Sequence, residues 1–188
     1  MNKFCLILSI TAVFSYNIAK AQKANYNRNK LTLNGIPFTV SKKAIIKVLG
    51  KPLQQFKPHY ECGFFSDNEQ RGEVYYTLQY KLLNWIGNNK QGYTMENLFI
   101  SPNLNYIIKY KGKILSYQTT QKEFMKLSGI DTFDTNIGGQ NPSDLIKVIG
   151  NQNLKTTSLD LQEKGDDDKY IFYFLNGKLC KIEYWSPC

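Results

Sequence analysis

The chain has 188 residues and a net charge of +9, from 24 Lys and Arg against 15 Asp and Glu. At 42% hydrophobic and 14% aromatic it is a globular chain rather than a disordered one. The basic balance does not make it a nucleic-acid reader: the lysines are scattered, and arginine, the preferred residue for bidentate phosphate and base contacts, occurs only at Arg28 and Arg71.

The first segment reads as a leader. Met1-Asn2-Lys3 is followed by the apolar run Phe4 to Phe14 and then by Ala19-Lys20-Ala21. A basic start, a short apolar core and a small-x-small site predict a secretory signal peptide over residues 1–21, with a core too short to span a bilayer. Cys5 opens the apolar run instead of following it, so no lipid anchor is expected there. Removal of the leader takes Lys3 and Lys20 and no acid, leaving 167 residues with a net charge of +7. The expected product is exported, soluble and not membrane-spanning.

The next feature is a repeat. Thr32 to Gly50 aligns with Thr132 to Gly150, with identities at Thr32/Thr132, Ile46/Ile146, Lys47/Lys147, Val48/Val148 and Gly50/Gly150. Ser41 and Asn141 are suited to N-caps, Pro142 to a first helical turn, and each copy closes on the glycine that commonly ends a helix. Thr120 to Gly129 is a weaker third copy. Helices are therefore predicted near 42–49, 121–128 and 142–149.

Strands follow the helices. Val74 to Tyr80 alternates in period two, and Asn84 to Gly87, Tyr93 to Ser101 and a hairpin turning at Lys111-Gly112 come next. The segment 156–162 is a further strand candidate. The last is a hairpin at Asn176-Gly177, the pair best suited to a two-residue type I′ turn. Its simplest register sets Leu175 opposite Lys178, Tyr173 opposite Cys180 and Ile171 opposite Ile182, and predicts that these residues form the helix-packed face. Phe172, Phe174, Leu179 and Trp185 then fall on the other face, beside Lys181 and Glu183. The predicted class is α+β, two tandem units of short helices packed on an antiparallel sheet, over 22–118 and 119–188.

Thr39 to Pro52, ending in Leu49-Gly50-Lys51-Pro52 and followed by the aromatic strand around Tyr76, resembles the SmpA/OmlA-type small outer-membrane lipoproteins. Two such units in tandem look like the β-lactamase inhibitory protein fold, and the tail from Asn176 to Cys188 is similar to exported bacterial proteins. The resemblance implies a fold and a compartment, and carries no binding residue. The second copy departs from it, because Asn151 and Gln152 follow Gly150 with no proline.

Three cysteines remain after the leader, Cys62, Cys180 and Cys188. An oxidising compartment makes a disulfide the default use. Three single bridges are open; Cys180 faces a core in the hairpin register, which favours Cys62–Cys188, a closure of most of the chain that contributes on the order of 4–5 kcal/mol by loop entropy. The lone histidine, His59, stands three positions before Cys62. His59 with Cys62, Cys180 and Cys188 has the composition of a zinc tetrahedron, and His59 with Cys62 that of a base and nucleophile. Only the first pair has close ligand spacing, and neighbours in a loop are not the usual geometry of a catalytic pair. No metal, cofactor or catalytic residue is therefore expected. Asp166, Asp167 and Asp168 are consecutive and diverge, as in a solvated turn, where calcium loops alternate their acids.

The remaining candidates are aromatic. Tyr75, Phe172, Phe174 and Trp185 are predicted to form a lysine-rimmed contact surface, with burial of these faces in one shared core as the competing outcome. The expected function is that of an exported, non-enzymatic binding protein of inhibitor, immunity or envelope type, with a protein or envelope partner. The alternatives are a metal or thiol enzyme centred on His59 and Cys62, and a structural envelope component.

Overall fold

The structure, a computed structural model, describes residues 30–58, 72–130, 156–163 and 165–187. The predicted leader, the predicted helix at 142–149, His59, Cys62 and Cys188 lie outside these residues. Among the described residues the chain is α+β, with two short helices and two antiparallel sheets.

The strands are β1 (Leu31–Leu33), β2 (Ile36–Pro37), β3 (Thr39–Val40), β4 (Gln54–Phe56), β5 (Tyr76–Tyr80), β6 (Leu83–Asn88), β7 (Gly92–Phe99), β8 (Ile108–Tyr110), β9 (Lys113–Leu115), β10 (Thr156–Gln162), β11 (Lys169–Leu175) and β12 (Lys178–Trp185). The helices are α1 (Lys42–Leu49) and α2 (Gln121–Ser128). The small sheet runs β2-β1-β8-β9; the large one runs β10-β11-β12-β7-β6-β5-β4, with β3 also pairing β7.

The helices fall where the cap residues predict. The Ser41 hydroxyl accepts from the Ala44 N–H, and Gly50, at φ 80°, ends α1. At α2 the Thr120 hydroxyl accepts from the Glu123 N–H while the Glu123 carboxylate accepts from the Thr120 N–H, a complete capping box, and Gly129 closes the helix in the left-handed conformation.

One hydrophobic cluster draws on both sheets and both helices. Leu31, Ile45, Leu78, Trp85, Met95, Phe124, Phe172, Phe174 and Ile182 are all part of it and all fully buried. Phe124 of α2 stacks on Phe172 with ring centroids 4.2 Å apart and lies 5.8 Å from Phe174 and 5.9 Å from Tyr110. Full burial of a side chain of this size contributes about 1.5–3 kcal/mol, so the Phe124 ring anchors α2, with Met125 and Leu127 packed against the same core.

The C-terminal hairpin corrects the predicted faces. Leu175 opposes Lys178 as expected, but the register shifts by one residue between Tyr173 and Phe174, so Tyr173 opposes Lys181, Ile171 opposes Glu183 and Phe172 opposes Ile182. Cys180 is the extra residue of this β-bulge. The slip sorts Phe172, Phe174, Leu179 and Ile182 onto the core face, and turns Tyr173, Lys181, Glu183 and Trp185 to the other. A second bulge lies on β7, where Asn84 opposes Asn97 but Trp85 opposes Met95, leaving Glu96 as the extra residue.

Candidate functional site

The face of the large sheet turned away from the core carries its charged and half-buried aromatic side chains in register. β7, β12, β11 and β10 are adjacent and antiparallel, so partners line up across them. Phe99, Lys181, Tyr173 and Ser158 form one such row. Asn97, Glu183, Ile171 and Asp160 form the next. Trp185, Lys169 and Gln162 form a third.

The two lysines are fixed by rings and carboxylates together. The Lys181 ammonium lies 5.5 Å from the Phe99 ring centroid and 5.3 Å from that of Tyr173, and 3.0 Å from a Glu183 oxygen. Its side chain is only 12% exposed. Lys169 sits 4.8 Å from the Trp185 ring centroid and 2.5 Å from an Asp160 oxygen. A cation over an aromatic face contributes about 0.5–2 kcal/mol, rising as water is excluded.

Burial reshapes the acid–base behaviour here. Loss of solvent, and then the charge of Glu183, push the Glu96 carboxyl up to about 7 against the opposing pull of Lys181. The Tyr173 hydroxyl is held above its ordinary range, first by burial and then by Glu183, which is both a nearby charge and a hydrogen-bond partner. Burial raises the Cys180 thiol to about 11, with Lys181 and a backbone hydrogen bond from Leu175 working the other way. Its S–H donates to the Tyr173 carbonyl at 3.2 Å. A buried thiol of this kind is a poor nucleophile at neutral pH and behaves as a small apolar residue with a weak donor.

The aromatic residues predicted as a surface divide. Trp185 stands on the outer face, half-buried beside Lys169. Phe172 and Phe174 are core residues beneath α2, so they present nothing to a partner. Tyr75 is 3% exposed, packs with Ile86 in a small separate cluster, and donates its hydroxyl hydrogen to Gln91. Tyr173, Phe99, Lys169 and Glu96, not singled out from sequence, complete the outer face. The available signal was compositional: an unshifted register mixes Phe172 and Phe174 with Lys181 and Glu183 on one face, and a one-residue slip at Cys180 separates them.

The Asp166–Asp168 loop uses its acceptors locally. Asp166 accepts from the Asp168 N–H at 3.1 Å, and Asp168 accepts from the Tyr184 hydroxyl. Among the described residues no three His, Cys, Asp or Glu side chains converge as metal ligands, and no helix is long and apolar enough to cross a membrane. No protein-family model, curated protein or solved structure matches the chain.

Proposed function

We propose that this is an exported binding protein, without a reaction of its own, that holds a protein partner of the cell envelope against the outer face of the large sheet. The observation that carries the reading is the fixing of Lys181 between Phe99 and Tyr173, and of Lys169 over Trp185. Rigid aromatic and cationic groups lose little side-chain entropy when a partner covers them, which is why such residues dominate contact surfaces. Export is inferred from the pattern of residues 1–21.

We read the scaffold as two tandem units related by a local two-fold, each with a hairpin, a helix and a three-stranded meander, the first carrying β3 and β4 in addition. Several pairings support this. The order β2-β1-β8-β9 is symmetric about β1/β8, and β10-β11-β12-β7-β6-β5 is symmetric about β12/β7. Leu98 and Ile182 pair across that second axis. Val40 after the first hairpin pairs with Tyr93 of β7, and Thr120 after the second pairs with Lys178 of β12. In this reading the boundary falls between β7 and β8 instead of after residue 118.

The direct test is capture from envelope extract with the protein and with Trp185→Ala, followed by mass spectrometry. A partner recovered by the protein and lost by the variant supports the reading; an unchanged partner set overturns it.

A further inference from the structure

The hairpins β1–β2 and β8–β9 turn alike, on Asn34-Gly35 with φ of 49° and 85° and on Lys111-Gly112 with φ of 47° and 78°. Positive φ at both central residues is the two-residue type I′ geometry. In such a hairpin the pair flanking the turn exchanges both its hydrogen bonds, and the next pair exchanges none. The N–H and C=O of that next pair therefore point away from the neighbouring strand. One step further the ladder resumes, as seen where the Phe38 N–H donates to the Leu31 carbonyl at 3.3 Å.

The outward position on β2 is Pro37, opposite Thr32; on β9 it is Ile114, opposite Lys109. Proline has no N–H, so the β2 edge offers no donor there, a common way of closing an edge strand. Ile114 keeps both groups, the residue is 65% exposed, and β9 is the outermost strand of the small sheet among the described residues. Beside this open edge, between β9 and α2, runs a groove of about 540 Å³ lined by Lys113, Ile114, Leu115, Glu123, Lys126 and Leu127.

The charge of the groove selects its occupant. Lys113 and Lys126 line it, and Lys109 is exposed on the neighbouring strand. The one acid in the lining, Glu123, has its carboxylate turned to the head of α2, where it accepts from the Thr120 N–H and hydroxyl at 2.8 Å each. What remains is an apolar floor, a backbone donor and acceptor without a partner among the described residues, and net positive charge.

We propose that the groove between β9 and α2 takes an extended, acidic peptide segment of a partner protein, added to the small sheet as a fifth strand hydrogen-bonded to Ile114. Backbone bonds supply the register in such strand addition, and flanking side chains supply the selectivity. This contact is separate from the outer face of the large sheet and stands whether or not that face binds.

The test is nitrogen-15 amide shift titration of the protein with three capped octapeptides. One alternates valine with aspartate, one alternates valine with lysine, and one is the aspartate peptide N-methylated along one edge. The aspartate peptide is expected to saturate, with shifts centred on Ile114 and α2. The lysine and N-methylated peptides bind about tenfold or more weaker, the latter because a backbone bond is lost. Ile114→Pro, which gives β9 the residue β2 already carries, lowers affinity by about the same factor, and Lys113→Glu and Lys126→Glu by about two- to fivefold each. If Ile114→Pro fails to fold, the N-methylated peptide decides alone. Absence of saturation, equal binding of the lysine peptide, indifference to N-methylation, or shifts centred on Trp185 would each overturn the proposal. So would concentration-dependent dimerisation through Ile114, which makes a second copy of the chain the occupant.

Discussion

Glu96 and Cys180 occupy matching places in the large sheet: each is the extra residue of a β-bulge, Glu96 where β7 slips against β6 and Cys180 where β12 slips against β11. Two residues beyond each bulge, Leu98 and Ile182 pair with one another. The bulges thus flank the β7–β12 pairing and decide which side chains face outward on both sides of it.

The bulge at Cys180 makes Phe172 and Trp185 opposite in character. Phe172→Ala removes a ring stacked on Phe124 and is expected to cost about 3–5 kcal/mol in urea unfolding. Trp185→Ala loses its contact with Lys169 and is expected to cost about 1 kcal/mol. Equal costs would mean that the faces are assigned wrongly.

Much of the fold was legible in the sequence where the chemistry is local. Ser41, Thr120, Gly50 and Gly129 marked the helix ends because capping depends on single side chains and a glycine conformation. Asn176-Gly177 and Lys111-Gly112 marked two turns for the same reason. Asn34-Gly35 signals a third equally well, but its flanking strands β1 and β2 have only 3 and 2 residues, and the segment aligned more visibly with a helix-bearing repeat. The outer face was misread because a single inserted residue reverses every side chain beyond it, and no local propensity at Cys180 announces the insertion.

Glu96 makes stability depend on pH in a definite direction. Its folded-state pKa, about 7, lies above the ordinary value of 4.5, so the folded protein holds the proton more tightly than the unfolded chain. The contribution is fully present below about pH 4.5 and is lost as the pH rises through about 7. Glu96→Gln, which mimics the protonated form, is expected to match the parent near pH 4 and to exceed it at pH 8.5 by on the order of 3 kcal/mol. A stability difference between the two that does not change over this range would contradict the assignment.

Cys180 is expected to resist aromatic disulfide reagents in the native state, since its thiol is buried and titrates at about 11. With Cys62 and Cys188 bridged, denaturation without reductant exposes one thiol in the processed chain, and reduction exposes three. Non-reducing peptide mapping should recover the Cys62–Cys188 pair. Three reactive thiols before reduction would remove the bridge from the account.

The claim that the outer sheet face is the contact surface is tested most directly by photo-crosslinking in cells. Ile171, in the middle of that face, and Thr32, on the small sheet, are replaced in turn by p-benzoylphenylalanine. The account predicts one dominant crosslinked protein from position 171 that Tyr173→Ala abolishes, and none of that protein from position 32. Capture of the same protein from both positions, or from position 32 alone, would contradict it.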